Sequence, residues 1–132
     1  MIEFQAMFPV MVADDLEALK QFYESVFGFN AVFYEPNFYL HLVSPSNGVQ
    51  LGFMVPNHDT QPVFLHARMV TEGYVISFEV ADAQETYQKA KELALDIIMP
   101  LKEEDWGQRH FIISDPAGFH IDLVEHFEVK EE

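Results

Sequence analysis

Alternation of apolar and polar residues predicts a strand, a tight turn and a second strand near the end of the chain. Residues 109–114 are mostly apolar, and apolar and polar residues alternate over 119–125. Between them, residues 115–118 (DPAG) have the acceptor, fixed φ and flexible last residue that a type I turn favours. The second strand is therefore half-buried, with one face available for chemistry. Asp122 lies in the middle of that face.

Helical spacing of apolar residues predicts a first helix over 15–27. Asp14 and Glu17 have the N-cap and third-residue positions of a capping box, and Gly28 is placed to end the helix. A second capping box at Asp82 and Glu85 opens a helix that ends at about residue 95. Each helix follows a predicted strand and precedes three more, so the order is repeated.

This repeat predicts an α+β fold of two βαβββ modules in a single domain, 1–132. The predicted strands are 4–13, 30–34, 38–43, 49–55, 74–81, 96–99, 109–114 and 119–125, with 63–69 as a further candidate. The predicted parts are module 1 (about 1–55), a linker (56–72), module 2 (about 73–127) and a charged tail (128–132). One helix leaves one face of each small sheet uncovered, so the two modules are expected to pair and enclose a cleft.

Charge narrows the range of partners. The chain has 22 acidic and seven basic residues, a formal net charge of −15. Phosphate backbones and anionic membrane surfaces would be repelled, whereas a cationic small molecule would be attracted. The same acidity also keeps a chain with 13 phenylalanines in solution.

The remaining composition points to the cytoplasm. No apolar run approaches the roughly 20 residues of a membrane span, and the N-terminus lacks the features of a secretory signal. Absence of cysteine excludes disulfides, thiolate nucleophiles and zinc–thiolate sites.

Three motifs resemble the glyoxalase, bleomycin-resistance and extradiol-dioxygenase superfamily, also called vicinal oxygen chelate proteins. They are the helix with its flanks (15–29, containing FY and VFGF), FEVAD at 78–82, and WG at 106–107 leading into DPAGFHIDLVE at 115–125. The resemblance implies that the two modules form a cupped, mixed and mostly antiparallel sheet around a ligand cavity, with the helices outside. It also implies a homodimer with cavities between modules.

Enzymes of that family hold a divalent metal at up to four positions, which correspond here to Phe8, Gln50, Val75 and Asp122. Phe8 and Val75 have no donor atom, and the Gln50 amide is a weak ligand. A catalytic metal needs about three protein ligands and an open position. We therefore expect no metal and no cofactor, and only Asp122 is a good donor.

The alternation of facing predicts a ligand site with apolar walls and a few polar groups. Its expected carboxylates, Glu79 and Asp122, would raise each other's pKa unless a cation, such as a bound amine or guanidinium, neutralised them. Trp106 could stack on a planar ligand, and Arg109 could pair with a surface carboxylate or an anionic ligand. The other predicted ligand-binding residues are His120, Gln50, Phe8, Met54, Tyr39 and His41.

Four functions remain open. The first is a metal-free, bleomycin-resistance-like protein that binds a cationic or aromatic small molecule. The second is a metal-dependent lyase, isomerase or dioxygenase, whose ligands are not found. The third is metal-independent catalysis with Glu79, Asp122 or His120 as general base, and the fourth is a structural module that binds a partner through an apolar patch. The first function accounts together for the missing metal ligands, the excess of acidic residues and the aromatic residues.

Overall fold

The computed structural model describes residues 1–129, and within them the chain has two α-helices and eight strands in two four-stranded sheets. The first half contains β1 (Val10–Val12), α1 (Leu16–Phe27), β2 (Asn30–Glu35), β3 (Tyr39–Val43) and β4 (Gln50–Met54). The second contains β5 (Ile76–Glu79), α2 (Ala83–Glu92), β6 (Asp96–Glu104), β7 (Gln108–Ser114) and β8 (His120–His126). This arrangement confirms the predicted α+β fold of two βαβββ modules.

Both sheets have the same strand order. The first is ordered β1-β4-β3-β2 and the second β5-β8-β7-β6; the β1–β4 and β5–β8 pairs are parallel and the other pairs are antiparallel. The chain divides into two compact units, Met1–Val70 and a second that begins at Thr71. Most of the segment predicted as a linker belongs to the first unit, and residues 130–132 of the predicted tail lie outside the described residues.

Helix α1 has an aspartate as its N-cap and a glycine at its C-terminal end. The Asp15 carboxylate accepts a hydrogen bond from the Ala18 N–H at 3.1 Å, and Gly28 ends the helix with a φ of 72°. The sequence-based cap at Asp14 was one residue early; Asp14 pairs instead with Arg68 at 2.9 Å. The helix buries Leu19 and Tyr23, and the Tyr23 ring packs against Phe53 of β4.

Helix α2 is held differently at its start. Asp82 accepts from the Glu85 N–H at 3.0 Å, as predicted, and the Glu125 carboxylate of β8 accepts from the Ala83 N–H at 2.9 Å. Its buried residues are two alanines, Ala83 and Ala90. The first turn is therefore anchored by two carboxylates, whereas little large apolar surface is buried along the helix.

Three strand predictions differ most from the structure. β1 begins at Val10 rather than at residue 4, after Pro9, whose nitrogen cannot donate a hydrogen bond. Residues 63–65 form a 3-10 helix instead of a strand. β6 continues through Pro100 to Glu104, which is possible because it is the edge strand of its sheet.

Across residues 1–129, both helices fall short of the length and apolarity that crossing a membrane requires.

Candidate functional site

The turn between β7 and β8 is built as the DPAG sequence predicts. The Asp115 carboxylate accepts from the N–H groups of Ala117 at 2.9 Å and Phe119 at 3.0 Å. The Gly118 N–H donates to the Asp115 carbonyl at 3.0 Å, and its φ of 88° is one that glycine adopts without strain. This turn fixes the register that sets Asp122 opposite Ile112.

Asp122 belongs to a hydrogen-bonded cluster on the face of the second sheet away from α2, which we call the His110 cluster (Ser77, Glu104, His110 and Asp122). Asp122 is buried, and its Oδ1 lies 2.8 Å from His110 Nδ1. The other ring nitrogen, Nε2, lies 3.0 Å from Glu104 Oε2, and Ser77 Oγ donates to Asp122 Oδ2 at 3.4 Å. The imidazole therefore lies between two carboxylates.

Electrostatics favour a charged imidazole in the His110 cluster. Burial lowers the pKa of His110, but hydrogen bonds to Glu104 and Asp122 and the charges of both carboxylates outweigh it, so the pKa is raised. The hydrogen bond from His110 lowers the pKa of Glu104 against the effect of its own desolvation, and Lys102 adds to the lowering. The chain itself therefore supplies Asp122 with a basic partner whose charged form is favoured.

Glu79 and Asp122 have separate histidine partners. Glu79 is 75% exposed in its side chain and lies 2.9 Å from His126 Nε2, whereas Asp122 contacts His110. The expectation that the two carboxylates act on each other and await an external cation is therefore corrected. Each already has a basic side chain of the second unit beside it.

Trp106 and His120 lie toward opposite ends of the β7–β8 hairpin. Trp106 is in the turn before β7, is 67% exposed, and donates from Nε1 to Gln108 Oε1 at 2.9 Å. Gln108 is opposite His126, whereas His120 is opposite Ser114 at the other end. Trp106 is therefore close to the Glu104 end of the His110 cluster, and His120 is not.

Arg109 lies on the opposite face of the second sheet from Asp122. Its guanidinium contacts Glu103 at 2.6 Å and Glu125 at 3.0 Å, and stacks over the Phe127 ring. Of the two roles considered from the sequence, the structure shows the surface ion pair. Because Glu125 also caps α2, this pair helps to fix the helix on the sheet.

The first sheet has a related arrangement on its face away from α1, which we call the His41 cluster (Phe8, Tyr39, His41 and Gln50). The Tyr39 hydroxyl lies 2.7 Å from His41 Nδ1, and His41 Nε2 lies 2.7 Å from Gln50 Oε1. The Phe8 ring stands at 89° to the imidazole with ring centres 4.5 Å apart. Four predicted site residues are thus brought together.

Proton positions in the His41 cluster follow from its acceptors. With the Gln50 amide oxygen facing Nε2, the tautomer that satisfies this acceptor carries its hydrogen on Nε2 and leaves Nδ1 to accept. The Tyr39 hydroxyl is the donor to Nδ1, which suits the raised pKa that burial gives this phenol. Met54, the remaining predicted residue of this half, is buried opposite Tyr39.

The two clusters occupy equivalent places in the repeated hairpins. Gln50 is opposite Val43, and Asp122 is opposite Ile112. In each hairpin a histidine lies two residues before that opposite residue. Its ring contacts the Gln50 amide or the Asp122 carboxylate diagonally across the strand pair. This histidine is His41 in the first half and His110 in the second.

Glu104 and His110 were not among the residues predicted from the sequence to form the site. Aligning the two copies over their β3–β4 and β7–β8 hairpins would have placed His110 over His41 and so indicated its role. No sequence signal identifies Glu104, because its strand was predicted to end before Pro100 and the continuation of β6 is decided by the sheet.

A family-type metal centre does not fit this donor set. Phe8 and Val75 bring no donor atoms, and both nitrogens of His110 are occupied by carboxylates. Nowhere among residues 1–129 do three histidine, aspartate or glutamate side chains group in a way that could hold an ion. Glu104, His110 and Asp122 form a line with the imidazole in the middle, so they do not surround a common point.

Comparisons with known proteins agree with this fold. A chain described as a glyoxalase/bleomycin resistance protein/dioxygenase from Nocardioides superposes with a TM-score of 0.78 at 18% identity, covering 99% of this chain and 89% of its own. A superfamily member from Sphaerobacter thermophilus DSM 20745 gives 0.72 at 25% identity, with 96% and 100% covered. Lactoylglutathione lyase from Agrobacterium tumefaciens gives 0.71 at 22% identity, with 92% of each chain covered.

No curated protein sequence matches the chain. The family model that does match, over residues 6–123, is the one described as Glyoxalase/Bleomycin resistance protein/Dioxygenase superfamily. That span includes β1, the repeated helices, both clusters and most of β8. The chain therefore belongs to the glyoxalase/bleomycin resistance protein/dioxygenase superfamily.

Proposed function

We propose that this chain is a small-molecule-binding member of its superfamily that holds a cationic or aromatic ligand without a resident transition metal. One observation carries the proposal. Asp122, the only good donor among the four metal positions, is committed to His110, whose second nitrogen is committed to Glu104. A ligand would therefore meet aromatic rings and hydrogen-bonding groups rather than an ion with open coordination positions.

Accessible aromatic rings support the aromatic part of the proposal. Trp106 is 67% exposed, and on the first sheet Phe8 and Phe33 are 42% and 48% exposed. Aromatic side chains that remain accessible beside polar groups are typical of ligand-binding surfaces. The net charge of −15 would draw a cationic ligand toward the protein by long-range attraction.

We also propose a homodimer in the cytoplasm. β1 and β5 each lie at one edge of their sheet. The N-terminal segment that precedes β1 exposes the apolar side chains of Met1, Ile2, Phe4 and Met7. Exposed apolar side chains beside an outer strand favour association with a second chain. Light scattering coupled to size exclusion tests this, with the mass of two chains expected.

Isothermal titration calorimetry tests ligand binding. We expect saturable heat with 9-aminoacridine, a planar cation, and tighter binding at low salt, because ions screen the long-range attraction. The panel also contains a non-planar cation, 1-aminoadamantane, and a neutral planar compound, acridone. Flat titrations for all three compounds would contradict the proposed function.

Metal analysis separates this function from the metal-dependent lyase, isomerase or dioxygenase considered from the sequence. After purification without chelator, we expect substoichiometric nickel, zinc, iron and manganese by inductively coupled plasma mass spectrometry. One equivalent of a transition metal that is lost in Asp122→Ala and retained in Glu79→Ala would overturn the metal-free assignment.

A further inference from the structure

Gly52 stands out because a side chain has no room there. It lies on β4 opposite His41, with Val10 of β1 on its other side. A Cβ atom built at Gly52 would collide with the Tyr39 hydroxyl and come within 3.1 Å of Tyr39 Cζ and Val10 Cγ2. The Tyr39 side chain therefore extends across the backbone of β4 at the one residue that has no side chain to block it.

Hydrogen bonds hold the tyrosine in that position. The hydroxyl is tied to His41 at 2.7 Å, and the imidazole is tied to Gln50 at 2.7 Å. The phenol and imidazole rings are inclined by 35° with centres 5.7 Å apart. Together they form a two-ring surface over Gly52, which we call the Tyr39 platform (Tyr39 and His41).

Two further aromatic rings border the Tyr39 platform. Phe8 meets the imidazole edge-on, and Phe33 of β2 lies 6.2 Å from the Tyr39 ring at an inclination of 42°. Both phenylalanines are about half exposed, and both platform residues are only half-buried. The rings are thus fixed in place, and each residue keeps part of its surface exposed on the side of the sheet away from α1.

We infer that the Tyr39 platform is a stacking site for a planar heteroaromatic cation, and that Gly52 determines this specificity. The inference rests on the proposed function, because it names the class of ligand and its location. An electron-rich ring face attracts a delocalised cation, and a flat ligand contacts two fixed rings with little loss of side-chain freedom. The Gln50 amide keeps its N–H groups as donors for an acceptor at the edge of the ligand.

Aromatic proton–carbon correlation spectra recorded during titration with 9-aminoacridine test the location. Ring currents of a stacked acridine are expected to shift the Tyr39 and His41 ring signals upfield, with smaller changes at Trp106. 1-Aminoadamantane has the same charge and is not planar, so it is expected to leave those signals in place.

Three variants test the energetics. Tyr39→Leu removes the ring and Gly52→Val displaces it, so each is expected to weaken 9-aminoacridine binding about tenfold. Tyr39→Phe keeps the ring and loses the tether, and about a threefold weakening is expected. Because valine suits a strand, Gly52→Val is interpreted only if its thermal midpoint stays near the wild-type value; otherwise Tyr39→Leu and the wild-type spectra decide.

Failure of this inference is distinguishable from failure of the proposed function. If 9-aminoacridine binds but its shifts centre on Trp106, or if both ring variants bind as tightly as wild type, the platform is wrong and ligand binding stands. Binding of 1-aminoadamantane alone likewise overturns the platform and leaves ligand binding in place. If no compound of the panel binds, both are overturned.

Discussion

The two halves of this chain share one plan and differ in the chemistry on equivalent strands. In the first, His41 joins a phenol to an amide; in the second, His110 joins two carboxylates. Strand pairing in the hairpin places this histidine diagonally opposite an equivalent residue of the neighbouring strand in both halves. Whether that partner is Gln50 or Asp122 decides whether the histidine meets an amide or a carboxylate.

The helices differ in the same way. α1 buries Leu16, Leu19 and Tyr23, whereas the buried residues of α2 are Ala83 and Ala90. α2 instead has a second carboxylate at its start and the ring contact of Tyr87 with Phe111. Apolar burial thus dominates the attachment of the first helix, and polar anchoring contributes more to the second.

The largest effect is expected from the apolar contacts of α1. Leu19→Ala removes a fully buried side chain and should lower the free energy of unfolding by about 3 kcal/mol. Ala90→Gly in α2, which changes helix propensity and a small contact, should lower it by about 1 kcal/mol. Urea denaturation of both variants measures the difference, and equal effects would contradict the contrast between the helices.

The two clusters should respond unequally to loss of the equivalent partner. Asp122→Ala leaves the buried His110 without one of its two carboxylates and should destabilise the protein by about 2–3 kcal/mol. Gln50→Ala removes a neutral hydrogen bond and should cost about 1 kcal/mol. The double variant Asp122→Ala/His110→Ala should lose less stability than the sum of the two single variants, and strict additivity in this cycle would show that the two side chains are not coupled.

Stability should depend on pH through His110. Because its folded-state pKa is raised above the ordinary 6.5, its contribution is complete below about pH 6.5 and is lost as pH rises through the folded-state pKa. The lowered pKa of Glu104 acts in the acid range: its contribution is present above about pH 4.5 and is lost as pH falls through the folded-state value.

Denaturation at several pH values with His110→Gln isolates this contribution. The variant should lose less stability than wild type as pH rises above about 6.5, and NMR titration should give His110 a pKa above its ordinary value. Asp122→Asn should bring that pKa down, because the charge of one partner is removed. An unchanged His110 titration in Asp122→Asn would refute the ionic assignment.

The smallest effect concerns the helix starts. Asp15→Ala removes the side-chain cap of α1 and should destabilise the protein by about 1 kcal/mol. Asp82→Ala should have a smaller effect, since Glu125 still accepts from the Ala83 N–H in the first turn of α2. If Asp82→Ala is the more damaging of the two, Glu125 does not supplement the cap.

Much of the fold could be predicted from local patterns. The alternation over 119–125 and the DPAG turn predicted the last hairpin, and the spacing of apolar residues over 15–27 predicted α1. Errors occurred where tertiary position outweighed local preference. Pro100 is tolerated because β6 is an edge strand, and Asp14, one residue before the observed cap, pairs with Arg68.

The candidate site was predictable only in part. Because strand residues alternate in facing, the sequence placed Asp122 on the face away from α2 and brought Tyr39 and His41 to one face. Alternation within a strand says nothing about which residues of neighbouring strands meet diagonally. The contacts of His110 with Glu104 and Asp122, and of Tyr39 with the open backbone at Gly52, depend on strand order and register.

By itself, then, the sequence determined the kinds of elements, their repeated order, the family and the lack of donors at Phe8 and Val75. These follow from residue chemistry and spacing along one chain. Only the tertiary structure decided that the basic side chain beside Asp122 is His110 and that Tyr39 lies across Gly52. Both depend on distances of a few ångströms between residues on neighbouring strands, and the pairing of those strands sets the distances.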